Sequence, residues 1–285
     1  MARTPPKSAP HGREPRAGSP AGRGVPPREV PRRAPAEADW VAGINAVEGL
    51  LQHAPTLVLE AAVQQPAPER AEGLLAALQR LGLSVQRVPA EVLARLSGQE
   101  RHQGIAVRVR PSPLLDEPDL QRLAEQAGAQ ALFLVLDQVT DPHNVGACIR
   151  SAAAAGATAL VFPKDGAASI TPVVHRASAG TSWRLPLVQV TNLARALEKL
   201  KEAGVWCYGL ALGAQRQSLY AADLRGPIAL VLGAEGEGLR ELTRKRCDGL
   251  LEIPMAPGVE SLNVSVTAGI CLFEVRRQRG SAALG

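Results

Sequence analysis

Apolar residues recur along this chain in two registers, and the changes of register mark its elements. Apolar runs over 131–136, 159–162, 187–190, 205–210, 228–232 and 250–253, several of them continuous, predict strands. Short runs without polar alternation are what a parallel sheet buried on both faces requires. Helical patterns fall between them, over 145–155, 172–179, 193–203, 239–246 and 264–278. Strand and helix in alternation predict a three-layer α/β domain. Upstream, 43–51, 67–81 and 90–96 read as helices, with strands over 56–59 and 83–88 and an alternating closing strand over 104–110.

These patterns divide the chain into four parts. Residues 1–38 are built of Pro, Arg, Gly, Ala and Ser, bury almost nothing and are expected to be disordered. A small α/β unit fills 39–110. Pro111, Ser112, Pro113, Asp116, Glu117 and Pro118 predict a linker over 111–119, and the larger domain occupies 120–280.

Composition changes this picture in three ways. At 285 residues and 46% hydrophobic the chain can bury one large core or two modest ones, and with 3% aromatics that core is aliphatic. Residues 1–37 hold eight basic and three acidic groups, a net of +5; the whole chain is also +5, so the remainder is neutral. The tail therefore either attracts phosphate backbones in a salt-sensitive way or serves as a solubilising extension. Cys148, Cys207, Cys247 and Cys271 are widely spaced, without CxxC, and read as reduced thiols of a cytoplasmic protein. No apolar run reaches the roughly 18 residues of a membrane span, and neither a signal-peptide pattern nor a metal-ligand spacing is present.

Candidate chemistry sits in three loops that come after apolar strands and so lie on one edge of a parallel sheet, where such sheets build ligand sites. The last runs from Ile253 through Glu260, Ser261 and Asn263 into a helix that is apolar nearly all round and is therefore expected to be buried. Ser261 and Asn263 read equally well as helix caps or as site residues. The first loop carries Asn144 and Arg150, six apart and well off one helical stripe. Arg150, among small apolar residues, needs a partner on burial: Glu235, Asp137 or a substrate phosphate. The middle loop places glycines at 233, 236 and 238, which is not the GxGxxG spacing of a dinucleotide site. A turn that lets backbone approach a neutral or cationic ligand fits it better. In the small unit, Arg101, His102 and Gln103 read as solvated loop residues, with RNA contact as the alternative.

At these loops the chain resembles the SPOUT superfamily, and within it the TrmH family of RNA ribose 2′-O-methyltransferases. The motifs are Asn144 with Arg150, Leu-Gly-Ala-Glu-Gly-Glu-Gly over 232–238, and Ile253, Pro254 and Met255 with Ser261, Leu262 and Asn263. The wording over 261–274 and 190–195 is similar to the branch that methylates a guanosine in 23S rRNA, with tRNA as the alternative substrate. The front unit resembles that family's small substrate-binding domain. The resemblance implies a parallel-sheet domain with a trefoil knot, a homodimer, and RNA as partner. It also implies S-adenosylmethionine (AdoMet) held by backbone at Gly233, Ile253 and Leu262, beside Leu210 and Met255. It assigns the chemistry to Arg150, Asn144, Glu235, Ser261 and Asn263. Arginine stays protonated and is a poor base, so Arg150 is expected to clamp a phosphate. Glu235 is suited to accept a proton or to pair with Arg150.

Overall fold

The computed structural model describes residues 38–211, 217–234, 236–259 and 261–280. Both the basic tail and Glu235 lie outside them. The described residues belong to one compact unit built on two sheets.

The smaller sheet comes first in the chain. Its elements are β1 (Asp39–Ala42), α1 (Ile44–His53), β2 (Val58–Gln64), α2 (Glu69–Arg80), β3 (Val85–Val88), α3 (Ala90–Ser97) and β4 (Ile105–Val109), with strand order β1-β4-β2-β3. Two expectations change here. Pro55 opens a short 3₁₀ turn over Pro55–Leu57, so β2 begins at Val58 and runs to Gln64 instead of ending at Leu59. β1 is an addition to the expected elements; four residues carry too little periodicity to be read alone.

The larger sheet is built from α4 (Glu117–Ala127), β5 (Leu132–Asp137), α5 (Pro142–Ala155), β6 (Ala159–Pro163), α6 (Pro172–Ala177), β7 (Leu187–Val190), α7 (Leu193–Glu202), β8 (Trp206–Leu210), β9 (Gln217–Ser218), β10 (Ile228–Gly233), α8 (Glu241–Arg246), β11 (Gly249–Glu252) and α9 (Val264–Gln278). Among the described residues its order is β7-β6-β5-β10-β8-β11-β9, and every pairing is parallel. β11 is inserted between β8 and β9, two strands that precede it in the chain.

Side chains alternate across a strand, and β5 supplies both cores of this sheet. Leu132, Leu134 and Leu136 join Cys148 and Ile149 of α5 and Leu272 of α9. Phe133 and Val135 join Leu197 and Leu200 of α7 on the opposite face. The stretch read as a linker is partly structured. Leu115 pairs with the edge strand β7, its N–H reaching Leu187 O at 2.9 Å. Asp116 and Asp119 then form a reciprocal capping box that opens α4.

A seam joins the two sheets. Trp183, in the 3₁₀ turn after α6, is buried in the core of the smaller sheet with Val41, Leu50 and Val107. Its ring stacks on His175 at 3.8 Å between centroids, and His175 Nδ1 shares a 2.8 Å hydrogen bond with Ser182 Oγ. Burial disfavours the charged imidazolium and lowers the His175 pKa to about 3. Backbone meets backbone here: a Cβ on Gly49 of α1 would lie 2.7 Å from Gly180 O. His102 is buried instead of solvated, while Arg101 and Gln103 are exposed as expected, Gln103 also making a structural bond. The Nδ1 of His102 accepts from Gly104 N, while Gln103 Oε1 accepts from Ile44 N at 2.8 Å and so caps α1, whose N-cap Gly43 has no side chain to do it. Cys148, Cys207 and Cys271 are buried free thiols and Cys247 is half-buried; burial pushes Cys148, Cys247 and Cys271 up to about 12, so they are inert at neutral pH.

Candidate functional site

The carboxyl ends of β8, β10 and β11 open into a cavity of about 440 Å³. Leu210 ends β8, Gly233 ends β10, and Ile253, Met255, Ser261 and Leu262 come after β11; all six line this cavity. The loop after β10 owes its shape to glycine. A Cβ on Gly233 would lie 2.1 Å from the carbonyl carbon of Gly238, because the loop folds back on the strand through an Ala234–Gly238 bridge. Gly236 and Gly238 adopt φ of 83° and 70°, left-handed backbone that L side chains rarely adopt. The walls are thus aliphatic side chains and main chain.

Three charged groups on the cavity are additions to the expected set: Glu237, Glu252 and Arg244. Glu237 belongs to the glycine loop, and Arg244 comes from α8, the helix after it. A charged residue one helical turn beyond a glycine loop is the signal that points to Arg244. Apolar walls with both signs of charge suit a ligand that combines a flat apolar body with a zwitterionic, cationic end.

The last loop meets the first through a side-chain bond. Asn263 Nδ2 donates to Asn144 Oδ1 at 2.9 Å. Asn263 also caps α9, its Oδ1 accepting from Ser265 N at 2.9 Å and from Val266 N. The capping and site readings of Asn263 therefore hold together. Ser261 is exposed and does not cap the helix. Asp141 caps α5 by accepting from His143 N at 2.9 Å, which leaves Asn144 in the first turn, facing α9.

Arg150 departs from expectation. It lies on the solvent side of α5 and is exposed instead of buried, and among the described residues no carboxylate pairs with it. Its proposed partner Asp137 is fully buried and is taken by Arg240, whose N and Nε donate to its two oxygens at 3.0 and 2.7 Å. That pair ties the end of the glycine loop to β5. The cause is position: Asp137 ends a buried strand and meets the next loop back, while Arg150 is about two turns along α5. α9 is likewise only partly buried. Its Ala268, Cys271, Leu272 and Val275 face the core, but Val266 and Phe273 remain about half exposed, and Ile270 lies between them.

Comparison with known proteins places this arrangement. A model of the SpoU rRNA methylase family matches residues 131–273, and one for RNA 2′-O ribose methyltransferase substrate binding matches 40–115. A 23S rRNA (guanosine-2′-O-)-methyltransferase RlmB of Xanthomonas campestris pv. campestris is 49% identical, over 84% of this chain and 96% of that protein. The chain belongs to the SpoU rRNA methylase family. The RlmB of Pseudomonas putida is 47% identical over 85% of the chain and 98% of its own length. Among solved structures, the SpoU methyltransferase AviRb of Streptomyces viridochromogenes superposes with a TM-score of 0.71 at 25% identity, covering 86% of this chain and 91% of that one. An RNA 2′-O ribose methyltransferase gives 0.68 at 28%, covering 84% and 88%. The α/β fold of this SpoU family member, with its small front sheet, is the SPOUT fold.

Proposed function

We propose that this protein is an AdoMet-dependent RNA ribose 2′-O-methyltransferase that modifies a guanosine of 23S rRNA in the cytoplasm. The observation that carries the reading is the glycine-walled cavity beside the Asn144–Asn263 bond, in a chain that matches RlmB relatives along nearly their whole length. AdoMet fits the cavity by size and by chemistry. Leu210, Ile253 and Leu262 would flank the adenine, backbone at Gly233 would approach it closely, and Met255 would close one side. Glu237, Glu252 and Arg244 complement an amino-acid end bearing both charges. When bound, AdoMet supplies an electrophilic methyl on a sulfonium.

The chain's own residues must then hold the ribose in line with that methyl and make its 2′ hydroxyl easier to deprotonate. Arg150 is exposed, fixed on a helix and free of a competing carboxylate among the described residues. It is placed to clamp an RNA phosphate and to stabilise alkoxide character by charge. The proton departs to Glu235, to a phosphate oxygen or to water. Asn144, Ser261 and Asn263 orient the ribose and the loops by hydrogen bonding. The exposed Val266 and Phe273 of α9, with the partly buried Ile270 between them, recur at i, i+4 and i+7, the stripe a second helix covers. On it we place the contact of a homodimer, which sedimentation would report as twice the 29.9 kDa chain mass.

The test of function is transfer of labelled methyl from AdoMet to total RNA from a strain lacking the gene, followed by nucleoside analysis. Labelled 2′-O-methylguanosine in 23S rRNA is the expected result. Label confined to tRNA would overturn the substrate, and no label with no AdoMet binding would reduce the protein to an RNA-binding scaffold.

A further inference from the structure

A second cavity, of about 570 Å³, opens where the two sheets meet. The smaller sheet's half contributes Asn45 at the start of α1 and Gln99, Glu100, Arg101 and Gln103 from the loop before β4; α6 of the larger half contributes Arg176. None of these residues belongs to the cavity beside Asn144. We propose that this cleft seats one unstacked nucleotide of the RNA substrate, its phosphate held by Arg101 and Arg176 and its base edge met by Gln99 and Asn45. The proposal rests on the methyltransferase reading above and names where that substrate is gripped away from the reacting ribose.

Four observations carry it. The first is charge. Arg101 is exposed, Arg176 half-buried, and Arg70 reaches into the same region by donating to Asn45 Oδ1 at 3.3 Å. Against these three guanidinium groups the lining sets Glu100. Planar guanidinium groups match phosphate oxygens two at a time. Second, Gln99 Oε1 is buried and has no hydrogen-bond partner among the described residues. A buried acceptor without a donor is costly unless a ligand supplies one, and amino groups on base edges are donors. Third, the volume lies in the range of small-molecule sites, a size that suits one nucleotide and not a duplex. Specific RNA recognition works mainly on bases splayed from loops in this way.

The fourth observation is rigidity. Gly49 and Gly180 bring α1 and the turn after α6 into backbone contact, and Trp183 from that turn is buried in the smaller sheet's core. Gln103 Oε1 accepts from Ile44 N, which holds its carboxamide in place at the cleft. The two arginines thus come from a loop of the smaller half and a helix of the larger half, across a packed seam, and a cleft held in this way lowers the ordering cost of binding.

The experiment measures binding of full-length protein to transcribed 23S rRNA over a salt series, together with methyl transfer. Arg101→Glu with Arg176→Glu is expected to weaken RNA binding at least about tenfold and to lower the salt slope by about 1 to 2. It should raise KM for RNA while leaving kcat and AdoMet affinity within about twofold. Glu100→Gln, a surface change that leaves the fold intact, is expected to tighten RNA binding. Gln99→Ala should raise KM without changing the salt slope, since it removes a base contact and no phosphate contact. Folded arginine variants with unchanged RNA affinity and salt slope would overturn the cleft, as would a Glu100→Gln protein that binds less tightly. Absence of methyl transfer to rRNA by the unaltered protein would instead overturn the enzymatic reading on which the cleft depends.

Discussion

The cavity at the carboxyl edge of the large sheet and the seam between the sheets both depend on glycine, to opposite ends. At the cavity, Gly233 lets the loop fold back onto β10. The result is open volume walled by main chain and aliphatic ends. At the seam, Gly49 and Gly180 allow two backbones to touch, and the space beside them is filled by Trp183 on His175 and by Ser182. Close backbone approach therefore walls an open cavity in one place and, in the other, makes a packed contact beside the second cavity. The difference lies in the neighbouring segments: a polar, irregular loop after β10, and an aromatic turn after α6.

The largest effect should come from filling the cavity's hinge. Gly233→Val sets a side chain against Gly238 backbone, which cannot yield without moving the loop. AdoMet binding measured by calorimetry is expected to fall at least about 100-fold, roughly 2.7 kcal/mol, while thermal unfolding shifts little. Gly49→Val applies the same steric change at the seam. There it should cost about 2–3 kcal/mol of stability, as overpacking does, raise KM for RNA, and leave AdoMet affinity within about twofold. If the two variants produced the same profile, the functional separation of cavity and seam would fail.

A smaller effect is set by His175. Its folded pKa, about 3, lies below the unfolded value of about 6.5, so protonation favours the unfolded chain. The stabilisation is fully present above about pH 6.5 and is lost progressively as pH falls toward about 3. The urea midpoint should therefore drop between pH 7 and pH 5 in the unaltered protein. His175→Phe keeps the stacking on Trp183 and should flatten that dependence; an equally steep dependence in the variant would remove His175 as its cause.

The strands of the larger sheet are legible in the sequence because β5, β6 and β10 are buried on both faces and so are apolar without interruption. The loops of the site are legible from glycine spacing and from small polar residues at strand ends. The features that escape depend on tertiary partners. β1 is four residues and is defined by β4, a strand more than 60 residues later. Asp137 and Arg240 are 103 residues apart, and nothing local shows that Arg240 reaches Asp137 before Arg150 does. His102 and Gln103 look like loop polarity until Gly104 N and Ile44 N are seen to need them. α9 reads as buried all round because its apolar residues continue onto Val266 and Phe273, which the fold leaves about half exposed.

The most direct test of the mechanism concerns Arg150, the exposed guanidinium assigned to phosphate and not to cofactor. Single-turnover methyl transfer and AdoMet affinity should be measured side by side in the unaltered protein and in Arg150→Ala. The phosphate clamp predicts a rate at least ~100-fold lower with AdoMet affinity within about twofold. An unchanged rate, or a loss explained entirely by weaker AdoMet binding, would contradict it.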